Sequence, residues 1–218
     1  MVDIHTHILP NVDDGSKSIE ISIELLKEEI KNGVKDIVLT PHQNENEMDN
    51  KKLKELLLKF KDEVKDLGLN LYLGSEIYYY KNLKNDIERI TTMNDSKYIL
   101  IEFSITNKID IYDSCVELKN LGFKPIIAHI ERYHYLTLED IDDISSIAKI
   151  QVNTKSFIKK EYKKLIKYLL KNDLIDYIGT DCHDLEYRDV SYNLINKYMK
   201  KYPKFKEKIE KMPEFLVL

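Results

Sequence analysis

The stretch Val2-Asp3-Ile4-His5-Thr6-His7 at the start of the chain has the β-branched, apolar character of a strand. Successive side chains of a strand point to opposite faces, so His5 and His7 lie on one face, about 7 Å apart. Imidazole nitrogens are common ligands of transition-metal ions. The stretch therefore predicts a first strand that ends in two metal ligands.

The rest of the chain alternates between strand-like and helix-like segments. Strand-like segments follow at 36–40, 69–74, 98–103, 124–128, 149–152 and 176–180. Helix-like segments lie at 19–30, 51–67, 82–91, 110–121, 138–147, 157–171 and 190–201. Continuous apolar strands such as Ile99-Leu100-Ile101 are typical of parallel strands covered on both faces. Seven repeated βα units favour an α/β fold, and we expect a distorted (β/α)7 TIM-like barrel, since an eight-stranded one usually takes about 250 residues.

Length and composition predict an ordinary single domain spanning residues 1–218. The formal net charge is -4, with 33% charged and 43% hydrophobic residues, so there is no global attraction to nucleic acid. The start of the chain has no basic segment before an apolar run, and no stretch approaches the about 20 apolar residues of a membrane span. We therefore expect a cytoplasmic protein without membrane insertion. Cys115 and Cys182 lie in unlike contexts, which predicts free thiols.

Ligand-type residues stand at the C-terminal ends of the predicted strands. They are His5, His7, His42, Glu76, Glu102, His129, Asp181 and His183. Only the sixth strand, which ends at Asn153, lacks a strong ligand. In βα barrels these ends gather at one mouth, where active sites lie, so residues distant in sequence can converge on one pocket.

Asp14, on the loop after the first strand, is a further candidate ligand because Gly15 lets the backbone turn there. Its alternative role is that of an aspartate preceding the first helix. Nine imidazole and carboxylate groups exceed what one ion can bind, which implies two or three divalent metal ions with bridging carboxylates. Such ions carry more positive charge than four carboxylates offset, so the site favours an anion such as phosphate.

Seven motifs together carry a family resemblance. They are Asp3-Ile-His5-Thr-His7, Val12-Asp-Asp14-Gly15, Thr40-Pro-His42, Gly74-Ser-Glu76-Ile-Tyr78-Tyr79, Leu100-Ile-Glu102-Phe103, Ile127-Ala-His129-Ile-Glu-Arg132-Tyr133 and Asp181-Cys-His183. In this order they resemble the motifs of the polymerase and histidinol phosphatase (PHP) superfamily. More narrowly, they resemble its bacterial manganese-dependent protein-tyrosine phosphatases of capsule and exopolysaccharide synthesis.

The resemblance implies a trinuclear centre, most often of Mn, with Fe or Zn as alternatives. The implied ligand sets are His5, His7, Glu76 and Asp181 for one metal, Glu76, Glu102 and His129 for a second, and Asp14, His42 and His183 for the third. Arg132 and Arg188 match family arginines that grip the phosphate, and a guanidinium offers paired donors to phosphate oxygens. The alternative for Arg132 is a surface ion pair with a carboxylate such as Glu131 or Glu139.

The implied reaction is attack on phosphorus by water activated at the metals, without a covalent intermediate. The implied substrate is the phosphotyrosine tail of a partner kinase that controls polysaccharide polymerisation. We expect loops 43–50, 104–110 and 184–190 to select the substrate. Tyr78, Tyr79 and Tyr80 are candidates to stack on its phenyl ring, although ordinary packing explains them equally well.

Other functions remain open from the sequence. The same ligands could serve a small phosphate ester such as histidinol phosphate, or an amidohydrolase substrate. A non-enzymatic binding module would predict missing ligands, and none of the nine is missing. Cys182 and Arg188 fit the C-x5-R pattern of cysteine phosphatases, but the intervening loop has no glycine and carries Asp184 and Glu186. Strand alternation also turns Cys182 away from Asp181 and His183.

Overall fold

The computed structural model describes residues 1–44 and 50–217, and it contains a parallel sheet flanked by helices. Within these residues the strands are β1 Val2–Thr6, β2 Asp36–Leu39, β3 His42–Gln43, β4 Asn70–Leu73, β5 Glu76–Tyr78, β6 Tyr98–Glu102, β7 Lys124–Ile127, β8 Lys149–Asn153 and β9 Tyr177–Gly179. All strand pairs are parallel, in the orders β1-β2-β4 and β3-β5-β6-β7-β8-β9. Parallel pairing of the predicted strands is thus confirmed.

Two of the predicted strands are interrupted and continue as second segments. Thr40 and Pro41 separate β2 from β3, and Pro41 has no N–H to donate to a ladder. Gly74 and Ser75 separate β4 from β5. A Cβ on Gly74 would lie 2.6 Å from Sδ of Met93, so a larger residue there would require the Met93 side chain to shift. Each second segment carries a ligand-type residue, His42 in β3 and Glu76 in β5, and these two residues pair directly.

The sheet curls so that its last strand meets its first. The backbone N–H of Asp181 donates to the carbonyl of His5 at 2.8 Å, and the N–H of His7 donates to the carbonyl of Cys182 at 2.9 Å. Gly179 permits this approach, because a Cβ there would overlap the Cβ of His5 and lie 3.0 Å from Nε2 of Gln151. The C-terminal ends of the first and last strands, β1 and β9, therefore lie side by side at one rim of the sheet.

The helices cover the outer face of the sheet. They are α1 Ile19–Lys31, α2 Asn50–Glu63, α3 Ile111–Asn120, α4 Leu138–Ile147, α5 Lys163–Lys171, α6 Asn196–Lys201 and α7 Pro203–Glu210. Side-chain caps fix the starts of three: Ser18 for α1, Asp110 for α3 and a Thr137–Asp140 capping box for α4. Among the described residues, none of these helices has the length and apolar character needed to cross a bilayer.

Several predicted helix boundaries differ from the structure. The segment 82–91 is a 3-10 helix, Leu83–Arg89, in which Asp86 has non-helical angles and accepts a 2.6 Å hydrogen bond from the hydroxyl of Tyr80. The segments 51–67, 157–171 and 190–201 each combine a 3-10 turn with a shorter α-helix. Helix α7 was not predicted, although Pro203 in its first turn is a typical helix-start residue.

Two apolar clusters fill the two faces of the sheet. The larger lies between the strands and the helices and includes Leu25, Ile37, Ile101 and Ile127. The smaller contains alternate strand residues, Val2, Ile4, Val38, Leu100 and Ile126, together with Phe215 near the C-terminus. In β2 and β6, alternation therefore sends neighbouring side chains to different clusters, with Ile37 and Ile101 in the larger and Val38 and Leu100 in the smaller, which is why these strands are apolar on both faces.

A buried polar cluster joins β1, β9 and α1 on the helix side of the sheet. The Asp3 carboxylate accepts 3.1 Å hydrogen bonds from the backbone N–H groups of His5 and Thr180. The hydroxyl of Thr180 donates to Glu29 at 3.4 Å. Burial raises the pKa of Asp3 to about 6, and burial beside Asp3 raises the pKa of Glu29 well above its ordinary value. Burial beside Asp3 therefore favours the neutral form of the Glu29 carboxyl group.

The close approach of β9 to β1 gives a test of the fold. We expect Gly179→Ala to lower the free energy of unfolding by about 1–3 kcal/mol, since an added methyl group must displace His5. Urea unfolding followed by circular dichroism measures this change. Lys164→Ala, on the exposed side of α5, is the control and should shift the value by less than about 0.5 kcal/mol. Equal stability of Gly179→Ala and the wild type would contradict the contact.

Candidate metal centre

Glu76 is the centre of a cluster of imidazoles at the C-terminal rim of the sheet. Its side chain is 1% exposed. Oε2 lies 3.2 Å from a ring nitrogen of each of His5, His7 and His42, and Oε1 lies 2.9 Å from Nε2 of His129. Burial raises the pKa of Glu76, but His5 and His129 outweigh burial and hold it well below its ordinary value. Glu76 is therefore ionised, and its charge faces four histidines.

Three groups of side chains have ligand atoms close enough to share an ion, within 4.8 Å of one another. The groups are His5, His7, Glu76 and Asp181; His7, Asp14, His42 and His183; and His42, Glu76 and Glu102. The first coincides with the set expected from the resemblance, and the second adds His7 to an expected set. The third has His42 where His129 was expected, although Nε2 of His129 lies 3.5 Å from Oε1 of Glu102. All nine predicted residues thus lie in one cluster.

Strand ends bring these residues together. His5 belongs to β1 and His7 follows it; Glu102 ends β6; His129 follows β7; Asp181 and His183 follow β9. His129 and Asp181 have positive φ angles of 32° and 54°, so the chain turns sharply where each side chain enters the cluster. Since positive φ is uncommon outside glycine, local sequence preference does not produce these turns.

Asp13 is a site residue that was not predicted from the sequence, although its neighbour Asp14 was. Its Oδ2 lies 2.7 Å from Nδ1 of His7 and accepts a 3.0 Å hydrogen bond from the backbone N–H of His42. Burial raises its pKa, but the contact with His7 outweighs burial and lowers the pKa below its ordinary value. Asp13 therefore fixes the ring of one candidate ligand and the backbone of another. The Asp-Asp doublet before Gly15 was the available signal.

The sixth predicted strand orients ligands without supplying one. The side-chain amide of Asn153 donates to Oδ2 of Asp181 at 2.9 Å, and Oδ1 of Asn153 accepts from Gln151 at 2.8 Å. Oε1 of Gln151 accepts from the backbone N–H of His129 at 2.7 Å and lies 3.3 Å from Nδ1 of His5. Gln151 and Asn153 therefore connect three candidate ligands. Their alternate positions on β8 were the sequence signal for this role.

The cluster fits divalent metal ions. Nε2 of His183 is buried without a hydrogen-bond partner among the described residues, and Nε2 atoms of His5 and His7 face each other at 3.2 Å. Burial and the charge of His7 lower the pKa of His183 to about 3, which leaves a neutral ring with a free lone pair. Burial lowers the pKa of His7, but Asp13 and Glu76 raise it to about 10. Lone pairs and carboxylates that favour a cation in this way are a donor set for transition metals.

Both predicted phosphate-binding arginines lie at the mouth of the cluster. Nη2 of Arg188 donates to Oδ1 of Asp181 at 2.5 Å, and Nη1 lies 3.6 Å from Oδ2 of Asp14. Nη1 of Arg132 lies 3.9 Å from both Glu102 and Asp181. Arg132 is 33% exposed and Arg188 is 37% exposed, so both guanidinium groups also face solvent. Among the described residues, Arg132 forms no ion pair with Glu131 or Glu139.

Two cavities open beside the cluster. One, of about 610 Å³, is lined by Asp13, Asp14, His42, Asn44, Tyr78 and Glu102. The other, of about 330 Å³, is lined by residues that include Arg132, Asp181 and Arg188. Of the three tyrosines singled out in the sequence, Tyr78 lines the first cavity, whereas Tyr79 packs on Phe103 and Tyr80 bonds to Asp86.

The predicted substrate loops contribute unequally to these cavities. Loop 184–190 supplies Tyr187 and Arg188 to the smaller cavity. Loop 104–110 supplies no lining residue to either cavity. From loop 43–50, Asn44 lines the larger cavity, and residues 45–49 lie outside the described part of the chain.

Cys182 lies on the opposite side of its strand from the cluster. Its side chain is fully buried, and Sγ lies 3.9 Å from Oε1 of Glu29. Burial, together with the nearby Glu29 and Asp3, raises the pKa of Cys182 well above its ordinary value. A protonated, inaccessible thiol cannot act as a nucleophile. Cys115 is likewise buried, and both thiols are free.

Comparisons with known proteins agree with the family resemblance predicted from the sequence. A family model described as capsular polysaccharide synthesis, CpsB/CapC, matches residues 1–212. The tyrosine-protein phosphatase CpsB of Streptococcus pneumoniae is 36% identical over 219 residues, covering 90% of each chain. CpsB of Streptococcus agalactiae is 32% identical over 206 residues, covering 86% of this chain and 85% of the relative.

A solved structure matches over nearly the whole chain. It comes from crystal structures of YwqE of Bacillus subtilis and CpsB of Streptococcus pneumoniae, described as unique metal-dependent tyrosine phosphatases. The match has a TM-score of 0.82 and 27% sequence identity, and it covers 93% of this chain and 87% of the other. The match confirms the predicted resemblance to the capsule tyrosine phosphatases. With its family model matched over residues 1–212, the chain belongs to the CpsB/CapC family of capsular polysaccharide synthesis proteins.

Proposed function

We propose that this protein is a metal-dependent protein-tyrosine phosphatase. The observation that carries the proposal is the convergence of eight imidazole and carboxylate groups around Glu76, with two guanidinium groups at the mouth. This arrangement suits a phosphate dianion, because metal ions and arginines both offset its charge. The relatives' names, tyrosine-protein phosphatases, support phosphotyrosine as the substrate. The natural substrate would be the phosphorylated tail of a bacterial tyrosine kinase that regulates capsular or exopolysaccharide synthesis.

The metal centre would contain two or three divalent ions, with Mn expected first. His5, His7, Glu76 and Asp181 would hold one ion, and Asp14, His42 and His183, with His7 close by, would hold another. Glu76, Glu102, His129 and His42 would share a third. When bound, such ions supply a lowered pKa for attacking water and charge to offset the phosphoryl oxygens.

The chain's own groups would bind and orient the substrate. Arg132 and Arg188 would donate paired hydrogen bonds to phosphate oxygens, and Asp181 already holds Arg188 in place. Tyr78, which is 39% exposed and lines the larger cavity, would pack against the phenyl ring.

We further propose that the curled parallel sheet is a distorted (β/α)7 barrel and that residues 1–218 form one PHP-type domain. The hydrogen bonds between the end of β9 and the end of β1 support closure of the sheet. The nine strands correspond to the seven predicted strands, because the second and third are each built from two segments, and this supports a barrel of seven βα units.

The first test is metal removal. We expect a chelator to abolish hydrolysis of a phosphotyrosyl peptide, and Mn to restore it better than Fe or Zn. We also expect the added metal to stabilise the fold by about 2.7 kcal/mol at a free concentration 100 times its Kd. Activity, elemental analysis and thermal unfolding together provide the measurement. Full activity in a protein that contains no metal would overturn the proposal.

The second test separates metal chemistry from cysteine chemistry. We expect Cys182→Ser to keep its activity within a few-fold, since the thiol faces Glu29 and not the cluster. His129→Ala should lose more than about 100-fold in kcat/KM, because removal of a ligand exceeds the 10–100-fold cost of losing an outer partner. Cys115→Ser is the control for a buried thiol elsewhere. The opposite ranking of Cys182→Ser and His129→Ala would establish a cysteine nucleophile.

The third test concerns Arg132. We expect Arg132→Ala to lower kcat/KM on a phosphotyrosyl peptide by about 100-fold or more, with unchanged metal content, because a charge-assisted donor is lost. The kcat/KM of Arg132→Lys should lie between those of the wild type and Arg132→Ala, since an ammonium keeps the charge but not the paired donors. Arg89→Ala, whose side chain pairs with Asp86, is the matched control and should resemble the wild type. An unchanged kcat/KM in Arg132→Ala would remove Arg132 from phosphate binding.

A further inference from the structure

We infer that the smaller cavity binds a second anionic group of the substrate, on a residue close in sequence to the phosphotyrosine, and that Lys159 selects it. The inference rests on the proposed phosphatase function and narrows the substrate class to peptides with an anion on one side of the phosphotyrosine. An aspartate, a glutamate or a second phosphotyrosine carries this chemistry.

The smaller cavity is rich in cations. Its charged lining residues are Arg132, Lys155, Lys159, Asp181 and Arg188, so four cations face one carboxylate. That carboxylate, Asp181, belongs to the candidate metal centre. A group bound in this cavity therefore lies beside the position of the phosphate and meets a positive surface.

Most of these cations already have partners. Arg188 is bonded to Asp181. Lys155 forms an ion pair with Asp189 and donates a 2.6 Å hydrogen bond to the carbonyl of Tyr187, which ties loop 184–190 to the end of β8. Both cations therefore hold the cavity wall in position, and their charges are largely offset.

Lys159 differs from the other cations of the cavity. It has no carboxylate within 4.0 Å among residues 1–44 and 50–217, and it is exposed. Its ammonium group lies 5.7 Å from the centre of the Tyr162 ring, which also lines the cavity. Tyr162 in turn stacks on His134, with ring centroids 5.7 Å apart. Lys159 thus stands over a supported aromatic ring with its charge available to an incoming anion.

The larger cavity has the opposite character. Asp13, Asp14 and Glu102 line it together with His42 and Tyr78. Asp13 is not among the candidate ligands, so bound metal ions would leave its carboxylate at the cavity wall. A carboxylate of the substrate would meet carboxylates there and a cation in the smaller cavity. Because both cavities adjoin the same centre, a peptide that occupies both would bind in one N-to-C orientation. The preference for an anion should therefore hold on one side of the phosphotyrosine and not on the other.

Tyr187 and Tyr162 decide what else the smaller cavity accepts. Tyr187 is 82% exposed on loop 184–190, and Tyr162 is half-buried opposite it on the chain that leads into α5. Two tyrosine rings can pack against a second phosphotyrosine as well as against an aliphatic stem. The test therefore includes both sources of the anion.

The experiment is a set of phosphotyrosyl peptides assayed with the metal-loaded full chain. Each peptide carries one glutamate, or glutamine in its place, at a position within three residues of the phosphotyrosine. A second series replaces the glutamate with phosphotyrosine or tyrosine. The measured quantity is the ratio of kcat/KM between the charged and the neutral peptide of each pair. The enzymes are the wild type, Lys159→Gln and Lys160→Gln, whose exposed lysine is not among the residues lining the cavity.

We expect a ratio of about fivefold on one side of the phosphotyrosine in the wild type, as one partly exposed ion pair allows. The ratio should fall towards one in Lys159→Gln and in high salt, and it should stay at the wild-type value in Lys160→Gln. If only the glutamate series shows this kcat/KM ratio, the cavity selects a carboxylate. If only the series with a second phosphotyrosine shows it, the cavity selects a phosphate.

Other results overturn the inference. A ratio of one for every pair in the wild type, or a ratio that survives in Lys159→Gln, would show that the cavity does not select an anion. In either case hydrolysis of the neutral peptides would leave the proposed phosphatase function intact. Failure to hydrolyse any phosphotyrosyl peptide, with hydrolysis of another phosphate ester, would overturn the proposed function and this inference together.

Discussion

The burial of the Glu76 carboxylate is the constraint on which the rim of this protein depends. An ionised carboxylate that is 1% exposed is costly unless it is paired and hydrogen-bonded, and four imidazoles surround this one. Those imidazoles come from β1, the end of β1, β3 and the end of β7, so distant parts of the chain must meet at one point. Parallel strands with their C-terminal ends on one rim provide that meeting point, and the contact of β9 with β1 brings the last ligands to the first.

The rim is separated from a second polar cluster by one layer of backbone. Along residues 180–183, Asp181 and His183 contact His7 in the metal-ligand cluster, whereas Thr180 and Cys182 contact Glu29 of α1. On the inner side, the histidines hold the pKa values of Glu76 and Asp181 below their ordinary values, and the outer side keeps a carboxyl pair of raised pKa beside an unreactive thiol. The alternation of a strand thus separates two environments with opposite preferences for charge, which explains why neighbouring residues have unrelated roles.

The sequence was sufficient to predict the parallel α/β architecture and the gathering of the ligand-type residues, because both follow from strand periodicity and from the shared rim of parallel strands. It was not sufficient for contacts that depend on side-chain orientation. Asp13, rather than Asp14, holds the ring of His7, and Gln151 and Asn153 orient ligands from a strand that carries none. Leu83–Arg89 is a 3-10 helix with non-helical angles at Asp86, whose carboxylate accepts from Tyr80, and apolar periodicity does not reveal this departure from an α-helix.

The positive φ angles of His129 and Asp181 carry a consequence for the evolution of this chain. A left-handed conformation at a residue with a side chain costs about 1–2 kcal/mol, and glycine would adopt it at lower cost. Both positions nevertheless carry ligand-type side chains, so the fold retains conformational strain at the points where its chemistry is assembled. Exchange of either residue for glycine would relax the backbone and remove a ligand together. A trade-off between stability and activity therefore lies at these two residues, where a change that stabilises the backbone would also remove a ligand.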